Sequence, residues 1–145
     1  MRTVVAPLAP EVEAQLAGLD GQLRAVAEGY IARLRLEPYL GRLVPRGLLS
    51  ELEARAVLFA CDSRPELMLS EHRGQLRTAG EDCSKGPPWR VIYVAREAAK
   101  AEVRVIVVLA VGLGHADTGQ ESAYTAARRL GPRLLGNKTS ERRKR

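Results

Sequence analysis

Residues 103–111 read VRVIVVLAV, eight apolar residues in nine with Arg104 the one interruption. A strand with one wet face alternates polar and apolar side chains. This run does not, so it belongs inside a sheet with both faces covered. Just upstream, residues 90–96 (RVIYVAR) form a second β-rich run, separated from the first by the polar segment 97–102. That spacing predicts an antiparallel hairpin. Downstream, Thr118 stands three residues before Glu121, the spacing of a capping box, and the helix started there meets Gly131-Pro132, a stop signal. Sheet centre, loop and closing helix are thus expected in succession.

The chain before this region predicts one strand and two helices. Thr3, Val4 and Val5 form a short β-prone run ended by Pro7; Pro10 suits a first helical turn, with Glu11 and Glu13 near its positive end. A short helix is expected over about 10–18. Asp20 is placed to cap a second, in which Leu19, Leu23, Val26, Tyr30, Ile31 and Leu34 recur along one stripe, ending before Pro38. A tight turn at 18–21 makes the two an antiparallel pair. Gly and Pro break regularity over 39–50, and residues 54–61 (ARAVLFAC) read as a further strand before the turn at 62–65. The fold class is therefore α+β: a small, antiparallel-dominated sheet with an N-terminal helical hairpin and a C-terminal helix, in the order β-α-α-β-β-β-α. Residues 64–88 read as an extended connection with room for one short strand, long enough to suspect function or mobility.

At 145 residues, with 46% hydrophobic and 28% charged side chains, the chain has the size and balance of one globular domain. The domain is expected over 1–135, followed by a basic, flexible tail over 136–145. Four Tyr, one Trp and one Phe are too few for a series of aromatic platforms stacking single-stranded bases. The net charge of +6 is local. Residues 128–145 hold eight Lys/Arg against Glu141 alone, which leaves the first 127 residues near −1. The basic character therefore describes a last helix and tail rather than a broad phosphate-binding surface; the tail reads as a solvated terminus, with steering of RNA or DNA as the alternative. Cys61 and Cys83 lie far apart with no CxxC, and no secretory segment precedes Thr3, so the expected compartment is the reducing cytoplasm. The longest apolar run falls well short of the ~20 residues that span a bilayer, and no membrane partner is expected.

The path from a first strand through two helices to WRVIYV, then VRVIVVLAVG, then a helix containing AYTAARRL, resembles the RelE/ParE superfamily of toxins from bacterial type II toxin–antitoxin systems. The likeness covers nearly the whole chain. It rests on Arg90-Val91-Ile92-Tyr93, similar to the family's basic-aromatic strand, on the apolar strand ending Val111-Gly112, and on Tyr124 followed by an Ala-rich helix with Arg128-Arg129. The resemblance implies a toxin that blocks growth until a cognate antitoxin neutralises it. RelE-like members cut messenger RNA on the ribosome without cofactor or metal; ParE-like members act against DNA gyrase. For an RNA-cutting member, the 2′-hydroxyl must lose a proton, the phosphorane must meet fixed positive charge and the leaving oxygen must gain a proton. Arg90 falls on the matching strand position as phosphate clamp. Tyr124 falls on the matching helix position as acid or substrate-orienting hydroxyl.

One departure stands out. RNA-cutting relatives place an arginine just after the Val-Gly that ends the last strand, where this chain has Leu113-Gly114-His115-Ala116-Asp117. His115 is the candidate replacement, since an imidazole trades protons near neutral pH; a loop histidine of this kind also reads as a plain surface residue. Arg128 and Arg129 are candidate phosphate or RNA contacts, with solvent exposure as their other reading. The missing arginine raises the alternative of a binding toxin, directed at gyrase or held only by its antitoxin. Gly112, Gly114 and Gly119 lack the Lys-Ser/Thr of a phosphate loop and read as a turn. Cys61, Cys83, His72 and His115 lack metal-ligand spacing. Tyr93, opposite in face to Arg90 by strand alternation, is assigned to the core.

Overall fold

The computed structural model describes residues 1–19, 21–44, 53–59, 71–72, 75–76, 89–98, 102–114 and 121–136. In chain order these form β1 (Arg2–Val5), α1 (Pro10–Ala17), α2 (Gly21–Arg33), β2 (Arg42–Leu43), β3 (Ala54–Phe59), β4 (Glu71–His72), β5 (Gln75–Leu76), β6 (Trp89–Ala98), β7 (Val103–Leu113) and α3 (Ala123–Leu135). The class is α+β, with a five-stranded mixed sheet in the order β1-β7-β6-β3-β2 and a two-stranded ribbon β4-β5. β1 runs parallel to β7, Val4 opposite Val105; the other pairings of the main sheet are antiparallel. The expected element order is extended by β2 and by the ribbon, where one short strand was foreseen.

β7 lies inside the sheet, as its unbroken apolar run requires. On one face Ile106, Val108 and Val111 join Val12 and Leu16 of α1, Val26, Tyr30 and Ile31 of α2, and Val57, Phe59, Val91 and Tyr93 of the neighbouring strands. On the other face Leu109 and Ala110 meet Ile92, Val94 and the Ala123, Ala126 and Ala127 side of α3. Leu109 and Ala110 share a face because the β6–β7 register shifts between Ile92 and Tyr93; an extra residue in one strand turns the following side chains over. Tyr30 and Phe59 anchor the larger layer with ring centroids 6.1 Å apart. At that depth truncating Phe59 to Ala would cost about 3–5 kcal/mol.

Arg104, the one charge in the run, sits near the strand's start and reaches out of the core. Its Nη2 meets Glu97 Oε2 at 3.3 Å, its Nη1 donates to Thr3 Oγ1 at 3.2 Å, and its guanidinium lies 5.0 Å from the centre of the Tyr39 ring. β1 pairs β7 only as far as Ile106. Beyond it the Val111 amide is answered by the Gln15 side-chain oxygen at 2.7 Å, so α1 takes over where the edge strand stops.

Three expectations are corrected. The two N-terminal helices do not stand out as a hairpin: α1 packs chiefly on β7, while α2 meets β3, β6 and α1 alike, each helix laying its apolar stripe towards the sheet. Leu19 precedes α2 and packs on the core from outside the helix, while the cap expected at Asp20 lies outside the described residues. The closing helix starts at Ala123, capped by Ser122, whose Oγ accepts from the Thr125 amide at 3.1 Å; Thr118 lies outside the described residues. Gly131-Pro132 does not stop it. Proline removes one internal hydrogen bond, but Leu130 is buried, Leu134 and Leu135 pack on the sheet, and Arg96 Nη1 caps the Leu135 carbonyl at 3.1 Å. The strand foreseen over 54–61 is described to Phe59; residues 60–61 and most of 64–88 lie outside the described residues.

Candidate functional site

Strand alternation decides which side chains of β6 meet which helix. Val91 and Tyr93 face α1 and α2, leaving Arg90, Ile92 and Val94 on the α3 side. Ile92 and Val94 are buried there, whereas Arg90, one residue into the strand and opposite Gly112 of β7, is only partly covered. The first turn of α3 brings Tyr124 over it. Arg90 Nε donates to the Tyr124 hydroxyl oxygen at 3.1 Å, and the guanidinium carbon lies 6.0 Å from the ring centre, too far off for close stacking. A further Arg90 nitrogen, Nη1, reaches the Trp89 carbonyl at 3.3 Å.

Two residues 34 apart in sequence, both singled out beforehand, are therefore joined by a direct hydrogen bond. The bond uses one edge of a planar donor group and takes Tyr124 as acceptor, so it does not consume the phenolic proton. A fixed guanidinium beside a hydroxyl is suited to holding an oxyanion and passing it a proton. Tyr93, by contrast, is fully buried; its hydroxyl donates to the Pro38 carbonyl at 2.8 Å and accepts from the Gly41 amide at 3.0 Å. Burial pushes its pKa up, and it belongs to the core, as alternation predicted.

His115, the third candidate, lies outside the described residues, as does the tail after 136. Arg128 and Arg129 are exposed on α3, and Arg129 pairs with Glu121. Arg133 of the same helix pairs with Glu11 of α1. These pairings tie α3 to its own start and to α1, so Arg129 faces a carboxylate before it faces any ligand.

Sequence reasoning missed Gly114. A Cβ built there would lie 2.8 Å from Arg90 Cζ and 3.0 Å from its Nε and Nη2. The signal was present only as a glycine just past the strand end, and read as a turn. Beside the pair lies a half-open cleft of about 290 Å³ between α1 and the start of α3, lined by Gln15, Gly18, Trp89, Gly112, Leu113 and Ser122 among others. Neither Arg90 nor Tyr124 lines it. The Trp89 indole nitrogen is buried with no hydrogen-bond partner among the described residues.

A second charged cluster stands at the far end of β6. Tyr39 lies between Arg55, 4.8 Å from its ring centre, and Arg104, and its hydroxyl donates to Glu97 at 3.0 Å. That hydrogen bond, then the one from Arg104, holds the Glu97 carboxyl below the usual range. Each arginine here is engaged with Tyr39 and a backbone or acidic oxygen, which makes the cluster a tie between strands and the 39–41 segment.

Among the described residues no group of three His, Cys, Asp or Glu gathers as a metal site, and no helix is long and apolar enough to cross a membrane. Comparisons with protein-family models, with curated proteins and with solved structures find no match to this chain.

Proposed function

We propose that the chain is a toxin of the RelE/ParE kind, acting as a metal-independent endoribonuclease on messenger RNA, with Arg90 as phosphate clamp and Tyr124 as proton donor or substrate-orienting hydroxyl. The observation that carries this reading is the 3.1 Å hydrogen bond from Arg90 Nε to the Tyr124 oxygen. The resemblance assigned roles to these two residues from opposite sides of a hairpin and a loop, and an α+β sheet with α3 across it gives them one location. In this reading the guanidinium meets the charge that develops on the phosphorane, and Tyr124 protonates the leaving oxygen or orients the phosphate. His115 is the proposed base that takes the 2′-hydroxyl proton. The partners are a cognate antitoxin and ribosome-bound mRNA, in a bacterial cytoplasm.

The second reading is a binding toxin directed at gyrase, favoured by one observation: just after Val111-Gly112, where RNA-cutting relatives place an arginine, this chain has Leu113 and Gly114. Induced expression followed by pulse labelling separates the two. Early loss of protein synthesis supports RNA cleavage, and early arrest of DNA synthesis supports gyrase. Antitoxins of such toxins bind through segments that fold on contact, so a small antitoxin encoded beside this chain is expected to copurify with it and restore growth. A chain that is harmless on its own and has no such partner contradicts both readings.

A further inference from the structure

We infer that Gly114 is a positioning residue for Arg90: the guanidinium occupies the space that any side chain at 114 would fill. Gly114 is buried, and a Cβ there would stand 2.8 Å from Arg90 Cζ, closer than real Cβ contacts come. Its backbone does not adopt the left-handed conformation that favours glycine, so the requirement is for room and not for chain geometry. Gly112, two residues earlier, is different: a Cβ there meets Ala123 at an ordinary 3.7 Å. Of these two glycines, only the one that lies on the arginine is so restricted.

Several contacts hold that guanidinium among the described residues. It fills the space a Cβ on Gly114 would take, Tyr124 accepts from its Nε, and the Trp89 carbonyl accepts from its Nη1. Nε is among the atoms nearest to residue 114, so a methyl group placed there presses on the atom that makes the Tyr124 bond. What it presses on is the far end of a flexible side chain. The guanidinium can swing away while the backbone stays, and the fold is left intact while the Arg90–Tyr124 geometry is lost. Gly114 therefore acts through Arg90, without itself touching a ligand.

The consequence for RNA cleavage rests on the proposed function, but the positioning itself does not, and the test keeps the two apart. In nitrogen-15 NMR the Arg90 Nε–H of the full chain is expected to give a resolved, slowly exchanging signal, assigned by its loss in Arg90→Lys. In Gly114→Ala that signal is expected to shift or broaden with an unchanged melting temperature, as it does in Tyr124→Phe. A mere structural role for Gly114 would lower the melting temperature and leave the signal in place, which would overturn the inference. Should Gly114→Ala melt early, Arg90→Ala/Gly114→Ala is expected to restore the melting temperature, because the conflict is with the guanidinium; failure to restore it would also overturn it. In a translating extract Gly114→Ala is expected to slow mRNA cleavage by about 10²-fold, the scale of a misplaced catalytic group, and Arg90→Lys/Gly114→Ala to be no slower than Arg90→Lys alone. If the unaltered chain cleaves no RNA, the ribonuclease reading fails and the NMR signal still decides the role of Gly114.

Discussion

Tyr93 and Gly41 are locked together: the Gly41 amide donates to the Tyr93 hydroxyl at 3.0 Å, and a Cβ on Gly41 would sit 3.0 Å from the Tyr93 ring and 2.9 Å from the Ala56 backbone. The contact ties the segment after α2 to the centre of the sheet. Tyr93→Phe leaves the Gly41 amide and the Pro38 carbonyl without their partner, and is expected to lower stability by about 1–3 kcal/mol. Gly41→Ala is expected to cost more, because it meets backbone that cannot swing aside. Urea unfolding of both variants checks the order.

Tyr30 sets an alkaline limit. Burial pushes its pKa from 10.0 up to about 12, so the folded state holds the proton that the unfolded chain gives up. Stability from this group is complete below pH 10 and falls as pH rises towards 12. The loss is on the order of 2 kcal/mol, and Tyr93, whose pKa burial also raises, acts in the same direction. Melting temperatures measured across this range are expected to drop for the native chain and to drop less for Tyr30→Phe.

Ser122 holds the turn that carries Tyr124. Its Oγ accepts from the Thr125 amide at 3.1 Å and lies 3.0 Å from the Thr125 hydroxyl. Ser122→Ala is expected to destabilise the chain by about 0.5–2 kcal/mol. Because the frayed turn contains Tyr124, the same change is expected to weaken toxicity, whereas Thr125→Val, which keeps the amide bond, leaves it near normal. Thermal melts and a growth assay run together check both effects.

How much of this was legible beforehand depended on how local the cause was. The place of β7 could be read because a run without polar alternation has one comfortable position, and the opposite faces of Arg90 and Tyr93 follow from the two-residue period of a strand. The bulge that puts Leu109 and Ala110 on one face could not be read, since every residue around it is apolar and either register buries them. Nor could the parallel pairing of β1 with β7, which joins segments about a hundred residues apart. At α3 the cap was read at Thr118, and the residue seen to accept from the helix is Ser122, four positions on. The stop at Gly131-Pro132 was overridden by the burial of Leu130 and the packing of Leu134 and Leu135. Arg90 and Tyr124 were nameable only through a family likeness. That the Arg90 guanidinium fills the space at Gly114 could be seen only in the fold, because nothing in a glycine announces which side chain lies against it.

The central claim is that Arg90 and Tyr124 form one catalytic unit, and the most direct measurement is the rate of mRNA cleavage in a translating extract supplied with the purified chain or its variants. Arg90→Ala is expected to slow cleavage by about 10²–10³, the scale of one preorganised charge donor. Arg90→Lys is expected to fall between this and the native rate, since it keeps the charge but not the planar two-pronged geometry. Tyr124→Phe and His115→Ala are each expected to lose about 10²–10⁴ if they move protons. Cleavage at the native rate by folded Arg90→Ala, Tyr124→Phe and His115→Ala alike would contradict the account and leave the binding toxin in its place.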